Sequence, residues 1–187
     1  NIIDKSNIVN NSKKKIILNI GRLSSQKKQI DLIKIFEKIA SKCPDWLLKI
    51  IGDGDLEIFL TNYVNQSKYK SQIKIIKPCA DLSETYSEAS IFCLTSQWEG
   101  FPNALAEALS AKIPSICFES CEGANILIKD GYNGFKVLNN EEFSEKLLLL
   151  IKDKNLLNKL SINASRISEE YQMEKIIKKW ERLINEK

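Results

Sequence analysis

The feature that most constrains the fold is a run of short apolar segments that alternate with amphipathic helical segments. Residues 15–20 (KIILNI) and 46–51 (WLLKII) are apolar almost throughout, and residues 29–40 between them repeat apolar side chains at helical spacing. Strands that are apolar on both faces are typical of a parallel sheet covered by helices on each side. The pattern therefore predicts a doubly wound α/β fold.

The full reading of the chain predicts one Rossmann-like doubly wound domain with a mainly parallel six-stranded sheet and C-terminal helices. The predicted strands are residues 15–20, 46–51, 73–76, 91–95, 113–118 and 134–137. The predicted helices are residues 29–40, 56–69, 82–89, 102–112, 124–129 and two or three pieces from 141 to the end. The domain is expected over residues 13–170, after a linker-like segment at 1–12 and before a final helix at 171–187.

Composition limits the chemistry that this domain can perform. The chain has no histidine, so its own residues cannot supply a Ser-His-Asp triad or a histidine base. Its 28 Lys and Arg against 24 Asp and Glu give a net charge of +4, which allows one anion-binding patch but does not favour a nucleic-acid partner. The five cysteines form no C-x-x-C pair and are expected to be free, mostly buried thiols.

Ligands of doubly wound sheets bind beyond the carboxyl ends of the strands, so three strand-to-helix turns are candidate sites. In the first, Gly21 allows a sharp turn and Arg22 and Lys27 bring two cations that suit a diphosphate. A solvated charged loop is the alternative for this turn. The second, Gly52-Asp53-Gly54-Asp55, is either a metal-binding D-x-D or a tight turn in which Asp55 caps the next helix.

The third turn, which leads into the predicted helix at Pro102, carries the strongest signal. The backbone amides of Phe101, Asn103 and Ala104 would form an anion site at the helix start. Glu107 lies roughly 7–8 Å further along the helix, about one sugar's reach from a phosphate held there. Glu99 precedes the helix and would face whatever the second phosphate carries. An ordinary helix with two solvated glutamates is the alternative.

Four motifs, in order, resemble the C-terminal donor-binding half of retaining GT-B glycosyltransferases of family four. They are the two glutamates separated by seven residues in EGFPNALAEAL, the G-R-L-x-x-x-K turn from Gly21 to Lys27, the G-D-G turn at Gly52 and the G-x-N-G turn at Gly131. The resemblance implies one half of a GT-B fold. It also reads the G-D-G segment as a turn rather than a metal site.

The resemblance also implies site residues. Arg22, Lys27 and Glu99 would be catalytic: the two cations would hold the departing diphosphate, and Glu99 would contact the transferred sugar. Glu107 would bind the ribose. The remaining donor-binding residues would be Gly21, Gly100, Phe101, Pro102, Asn103 and Ala104, with Lys77, Pro78 and Cys79 beside the base. Lys28 stands where the family commonly has glycine, so both lysines of this turn are candidates for the phosphate contact.

The activity implied is transfer of a hexose or N-acetylhexosamine from a UDP-sugar, without a metal or another cofactor. The acceptor would be a polyprenyl-diphosphate-linked glycan in the synthesis of bacterial surface polysaccharide such as O-antigen or capsule. The enzyme would work in the cytoplasm at the inner face of the membrane. The chain is long enough for one of the two GT-B domains, so the acceptor-binding domain is expected to be absent and the chain alone inactive. A non-enzymatic nucleotide-binding module is the alternative function.

Overall fold

The computed structural model of the protein describes residues 13–166, which form one three-layer α/β unit. The linker-like segment at 1–12 and the predicted final helix at 171–187 lie outside the described residues. The strands are β1 Ile16–Ile20, β2 Leu47–Ile51, β3 Ile73–Ile76, β4 Ile91–Leu94, β5 Ser115–Phe118 and β6 Gly134–Val137. The α-helices are α1 Gln29–Ile39, α2 Glu57–Gln66, α3 Ser83–Glu88, α4 Asn103–Ser110, α5 Glu122–Asn125, α6 Asn140–Lys152 and α7 Lys154–Ala164.

The six strands form one sheet in the order β3-β2-β1-β4-β5-β6, and every neighbouring pair is parallel. This confirms the predicted Rossmann-like fold class, with a sheet that is wholly rather than mainly parallel. β1 is central: Ile17 pairs with Leu48 on one side and with Ile91 on the other. The chain order reverses between β1 and β4, so this is the topological switch point of the sheet.

Alternate residues of β1, β2, β4 and β5 enter two separate cores, one on each face of the sheet, whereas β3 and β6 contribute to one core only. Ile17 points into the core built with α1, α2 and α6, whereas Leu18 points into the core built with α3 and α4. Phe36 and Phe143 fill the first core, and Phe92 fills the second. Burial on both faces explains why β4, between β1 and β5, is apolar throughout.

The ends of several elements differ from the sequence prediction. The helix predicted at 56–69 ends at Gln66, because the Ser67 hydroxyl accepts the Tyr69 amide (3.1 Å) and turns the chain. The prediction that Asp55 caps α2 is wrong. The N-cap is Leu56, without a side-chain cap, and the Glu57 amide is taken by the Gly54 carbonyl (3.0 Å).

Cys43, Cys93, Cys117 and Cys121 are buried free thiols, as expected, and Cys79 is exposed. Burial raises the pKa of the Cys117 thiol to about 12. Of the helices between residues 13 and 166, none combines the length and the apolar character needed to cross a bilayer.

Asn133, in the G-x-N-G turn before β6, holds the connection from α5 together. Its side chain is 1% exposed, accepts the Lys129 amide (2.9 Å) and donates to the Leu127 carbonyl (2.9 Å). The two bonds satisfy backbone groups that the end of the helical turn leaves unpaired. The motif is therefore explained here by folding.

Replacing Asn133 with alanine is expected to lower the free energy of unfolding by about 2 kcal/mol, because the buried Leu127 carbonyl and the Lys129 amide both lose their partner. Urea titration followed by circular dichroism measures this change. Asn65→Ala, at an exposed position of α2, is the matched control and should stay within about 0.5 kcal/mol of the wild type. Equal stability of the two variants would contradict the role assigned to Asn133.

Candidate functional site

The candidate site lies where the turns after β1 and β4 meet at the carboxyl edge of the sheet. The two strands are neighbours, but α1 and α4 pack on opposite faces, so the turns diverge and leave a crevice. Gly21, Arg22 and Lys27 belong to the first turn, and Glu99 belongs to the second. The structure thus brings Lys27 and Glu99 into contact and places Arg22 in the same turn as Lys27.

Direct hydrogen bonds join these two turns. The Gln97 amide donates to the Gln26 carbonyl (2.8 Å), and the Gln26 side chain donates to the Trp98 carbonyl (2.9 Å). The Thr95 hydroxyl, which is fully buried, donates to the Lys27 carbonyl (2.9 Å). Because backbone groups of both turns take part, the relative position of the two turns is fixed by the fold.

Lys27 and Glu99 form an ion pair across the crevice, and the Ser96 hydroxyl donates to the same Glu99 oxygen (2.7 Å). The side chains are only 22% and 11% exposed, respectively. Opposite charges at such burial orient each other strongly, since solvent screening is weak there. The pair presents one cation and one carboxylate at adjacent points of the crevice.

Arg22 is exposed, and its guanidinium makes no hydrogen bond or ion pair within residues 13–166. Its backbone, by contrast, is held firmly: the Gln29 side chain donates to the Arg22 carbonyl (2.8 Å). The neighbouring Leu23 amide donates to the Asp53 carbonyl (2.6 Å). A fixed backbone with a free guanidinium suits the binding of an anion.

The Gly52-Asp53-Gly54 segment packs against the first turn and supports it. A Cβ atom at Gly52 would lie 2.0 Å from the Gly21 carbonyl oxygen, so the two turns pack backbone to backbone. Within the described residues, no three His, Cys, Asp or Glu side chains come together as metal ligands would, so Asp53 and Asp55 have no third protein ligand. The segment is a packing turn in this structure.

The start of α4 offers free backbone donors. Pro102 is buried and stands at the N-cap, and the helix begins at Asn103, one residue later than predicted. The amides of Asn103 and Ala104 donate no hydrogen bond within the described chain, whereas the next two amides reach the Pro102 carbonyl. Gly100 and Phe101 lie exposed just before them. An anion at this helix end would meet the positive end of the helix dipole.

Glu107 is half-buried on the second turn of α4, and Tyr86 of α3 holds it in place. The Tyr86 hydroxyl donates to Glu107 Oε2 (2.8 Å). Burial, and next the charge of Glu107, raises the pKa of Tyr86 far above its usual range, so the hydroxyl keeps its proton. Tyr86 fixes one carboxylate oxygen of Glu107 and leaves the other available.

Lys77, Pro78 and Cys79 follow β3, at the edge of the sheet on the far side of β2 from the switch point. All three are exposed. Lys77 Nζ lies 3.6 Å from Glu57, and the Cys79 thiol lies 3.0 Å from the Asp81 carbonyl. These contacts are local and tie the segment to α2 and to its own loop.

Lys28 and Lys27 point to different places. Its backbone has φ 49° and ψ 40°, a left-handed conformation that favours glycine, at the N-cap of α1. Lys28 lines a cleft of about 370 Å³ between the starts of α1 and α6, and Ser96 lines the same cleft. The structure therefore separates the two lysines: Lys27 contacts Glu99, and Lys28 borders the neighbouring cleft.

Four side chains that shape the site were not singled out from the sequence: Tyr86, Gln29, Thr95 and Ser96. Thr95 and Ser96 follow an apolar strand directly, which is a usable signal for polar groups at the ligand edge. Gln29 and Tyr86 lie inside helices and act across the fold, so local sequence gives no indication of their partners.

Comparison with known proteins identifies the family. A model of the family described as glycosyl transferases group 1 matches residues 2–167. The chain belongs to this glycosyltransferase family. With the architecture above, it corresponds to the donor-binding half of a GT-B fold, and it spans about half the length of the first curated relatives it matches (49% and 48%).

Three similar glycosyltransferases illustrate the match. An uncharacterised glycosyltransferase of Haemophilus influenzae is 36% identical over 91% of this chain and 49% of its own. The UDP-Gal:alpha-D-GlcNAc-diphosphoundecaprenol alpha-1,3-galactosyltransferase of Escherichia coli is 30% identical over 77% of this chain and 38% of its own. The third is the C-terminal domain of the group 1 protein LpcC from Francisella tularensis, known from a crystal structure. Its sequence is 26% identical to this chain, its TM-score is 0.76, and the match covers 86% of this chain and 88% of that one.

The close approach at Gly52 generates a stability prediction for this glycosyltransferase domain. Gly52→Ala should lower the free energy of unfolding by about 1–3 kcal/mol, because the new methyl group forces the Gly21 backbone away. Gly100→Ala is the matched control, since its Cβ would meet no atom within 4 Å. Thermal and urea unfolding of both variants measure the difference, and a Gly52→Ala protein as stable as Gly100→Ala would refute the packing role.

The left-handed backbone at Lys28 generates a second prediction, of opposite sign. Lys28→Gly should raise the free energy of unfolding by about 0.5–1 kcal/mol, since relief of the backbone strain exceeds the entropy that glycine adds to the unfolded chain. The same replacement at Lys34, an exposed position within α1, should instead destabilise by about 1 kcal/mol. A loss of stability in both variants would contradict the strain at Lys28.

Proposed function

We propose that this chain is the donor-binding part of a retaining glycosyltransferase that transfers a hexose or N-acetylhexosamine from a UDP-sugar to a lipid-linked glycan. The observation that carries the proposal is the pairing of Lys27 with Glu99 beside the free amides of α4. These groups match the two halves of a sugar diphosphate, one anionic and one rich in hydroxyls.

Arg22, Lys27 and the α4 amides would bind the diphosphate. The guanidinium offers a planar fork, the ammonium a mobile point charge, and Asn103 and Ala104 offer fixed backbone donors. As the bond between the anomeric carbon and the diphosphate breaks and the acceptor oxygen bonds that carbon, negative charge grows on the diphosphate. Fixed donors around that charge lower the barrier without a metal ion.

Glu107 would hold the ribose through the oxygen that Tyr86 leaves available, since a carboxylate accepts hydrogen bonds from vicinal hydroxyls. Tyr86 is then a positioning residue, which fixes the carboxylate at the distance that one sugar requires. Lys77, Pro78 and Cys79 would lie toward the base. This arrangement orders the nucleotide along α4, from ribose to phosphate.

Glu99 would accept hydrogen bonds from hydroxyls of the transferred sugar. Ser96 holds this carboxylate in its present orientation, and Gly100 and Phe101 border the same space. When the diphosphate draws Lys27 toward itself, the sugar hydroxyls replace the ammonium as partners of Glu99. A sugar nucleotide therefore satisfies both members of the ion pair, whereas a bare nucleotide satisfies only the lysine.

The choice of donor and acceptor rests on the named relatives. The Escherichia coli relative is named for UDP-galactose and a diphosphoundecaprenol-linked acceptor, and a similar Campylobacter jejuni protein (28% identical) is named for a PP-undecaprenol-linked one. A bacterial lipid-linked glycan, such as an O-antigen or capsule precursor, is the corresponding acceptor here. The reaction would then take place at the cytoplasmic face of the membrane, with a second domain binding the acceptor.

The ribose role of Glu107 gives the sharpest test of this function. The wild-type chain should bind UDP in titration calorimetry, and Glu107→Ala should weaken that binding about tenfold or more while leaving the affinity for inorganic diphosphate unchanged. Arg22→Ala should weaken both ligands. Glu84→Ala, at an exposed glutamate of α3, is the matched control and should change neither.

Two results would overturn the proposal. Failure of the wild-type chain to bind UDP at millimolar concentration would remove the donor site altogether. An equal loss of UDP and inorganic diphosphate in Glu107→Ala would show that Glu107 does not read the ribose.

A further inference from the structure

A second cleft opens beside the donor crevice, on the α1 and α6 side of the sheet edge. Its volume is about 370 Å³, within the range of small-molecule sites. The walls come from the start of α1, the ends of β4, β5 and β6, and the start of α6. Neither Arg22 nor Glu107 lines it, so it is separate from the groups assigned to the nucleotide.

Polar side chains that the fold does not use converge on this cleft. Lys28, Asp31, Gln97, Ser120 and Asn140 all line it, and none of their side chains makes a hydrogen bond or an ion pair within residues 13–166. Together they offer an ammonium, a carboxylate, two carboxamides and a hydroxyl. A set of both donors and acceptors suits a ligand whose own groups are both, as sugar hydroxyls are.

Phe118 adds an apolar wall to the same cleft. Its ring is half-buried and rests against Phe143, with ring centroids 5.2 Å apart, so its position is fixed by the core. An apolar surface with a few placed polar groups is the common composition of small-ligand sites. The flat carbon face of a pyranose matches such a wall.

The charges around the cleft are mixed in sign. Lys28 is opposed by Asp31 and by Glu141, whose carboxylate also accepts a hydrogen bond from Lys38 (2.7 Å). The two carboxylates are matched by the two ammonium groups of Lys28 and Lys38. The mixed signs favour a neutral ligand rich in hydroxyls.

One residue connects this cleft to the reacting centre. Ser96 lines the cleft and donates to the Glu99 oxygen that also contacts Lys27. A ligand in the cleft therefore lies one side chain away from the carboxylate proposed to hold the transferred sugar. Lys28 reaches the same cleft from a backbone conformation that costs free energy, and such strain is common at functional positions.

The geometry points to an acceptor subsite: this cleft takes a neutral sugar ring of the acceptor glycan, next to the donor sugar. The inference rests on the proposed function, because it needs Glu99 to mark the place of transfer. It assigns to this domain a share of acceptor recognition, and it makes Gln97 and Asn140 determinants of acceptor specificity.

The test is nuclear magnetic resonance of the isotopically labelled chain with and without saturating UDP. Methyl α-glycosides of glucose, galactose and N-acetylglucosamine are the probes, titrated singly through the millimolar range. At least one of these glycosides should shift the backbone amide resonances of Ser96, Gln97, Ser120 and Asn140. Asn140→Ala and Gln97→Ala should raise its dissociation constant several-fold, whereas Asn65→Ala, an exposed asparagine of α2, should not.

The possible outcomes separate this inference from the donor site. If UDP binds and no glycoside shifts those amides, or if the shifts persist equally in both cleft variants, the subsite is refuted. If UDP alone shifts Ser120 and Asn140, the cleft belongs to the donor and the inference is also refuted. If a glycoside binds there while UDP does not bind, the donor proposal fails and the acceptor role that rests on it fails too, although the cleft still binds a sugar.

Discussion

The site depends on the hydrogen-bonded junction between the turn after β1 and the turn after β4. Lys27 makes two contacts in this junction. Its carbonyl accepts a hydrogen bond from the Thr95 hydroxyl, and its ammonium contacts Glu99. The Gln97 amide to Gln26 carbonyl bond fixes the same junction through backbone alone. Because the helices that follow the two strands pack on opposite faces, these bonds between the turns hold them in register. Substrate groups bound at one turn are therefore presented at a fixed distance from the other.

Much of the fold could be predicted from the sequence, because the inner strands are buried on both faces and are therefore mostly apolar. The segments 15–20 and 46–51 are apolar almost throughout and are separated by a segment with helical spacing, which predicts two buried strands. The parallel order follows from that alternation. Element ends were less accessible. Asp55 had the right side chain for a cap, but the Gly54 carbonyl supplied the partner of the first helical amide. Such competition is decided by backbone dihedral angles, which composition does not report.

For the candidate site too, some features could be predicted from the sequence and others could not. The switch-point rule brings Arg22, Lys27 and Glu99 to one edge before any coordinates are known, since it depends on topology alone. The clamp of Tyr86 on Glu107 depends on how α3 packs against α4, and no local pattern records that packing. The sequence did not predict that Lys27 contacts Glu99 while Lys28 lines the neighbouring cleft. This difference depends on the left-handed backbone of Lys28 at the start of α1.

On the proposed function, the Lys27–Glu99 pair would make a sugar nucleotide fit this crevice better than a nucleotide alone. Both side chains are largely shielded from water, so removing one partner leaves the other charge poorly solvated. A diphosphate that captures Lys27 would strand Glu99 beside Ser96 unless hydroxyls arrive with it. A UDP-sugar brings those hydroxyls on the same molecule, and its two ends satisfy the two charges together. On the proposed function, selection for the sugar thus arises from the ion pair itself, before any contact that distinguishes one sugar from another.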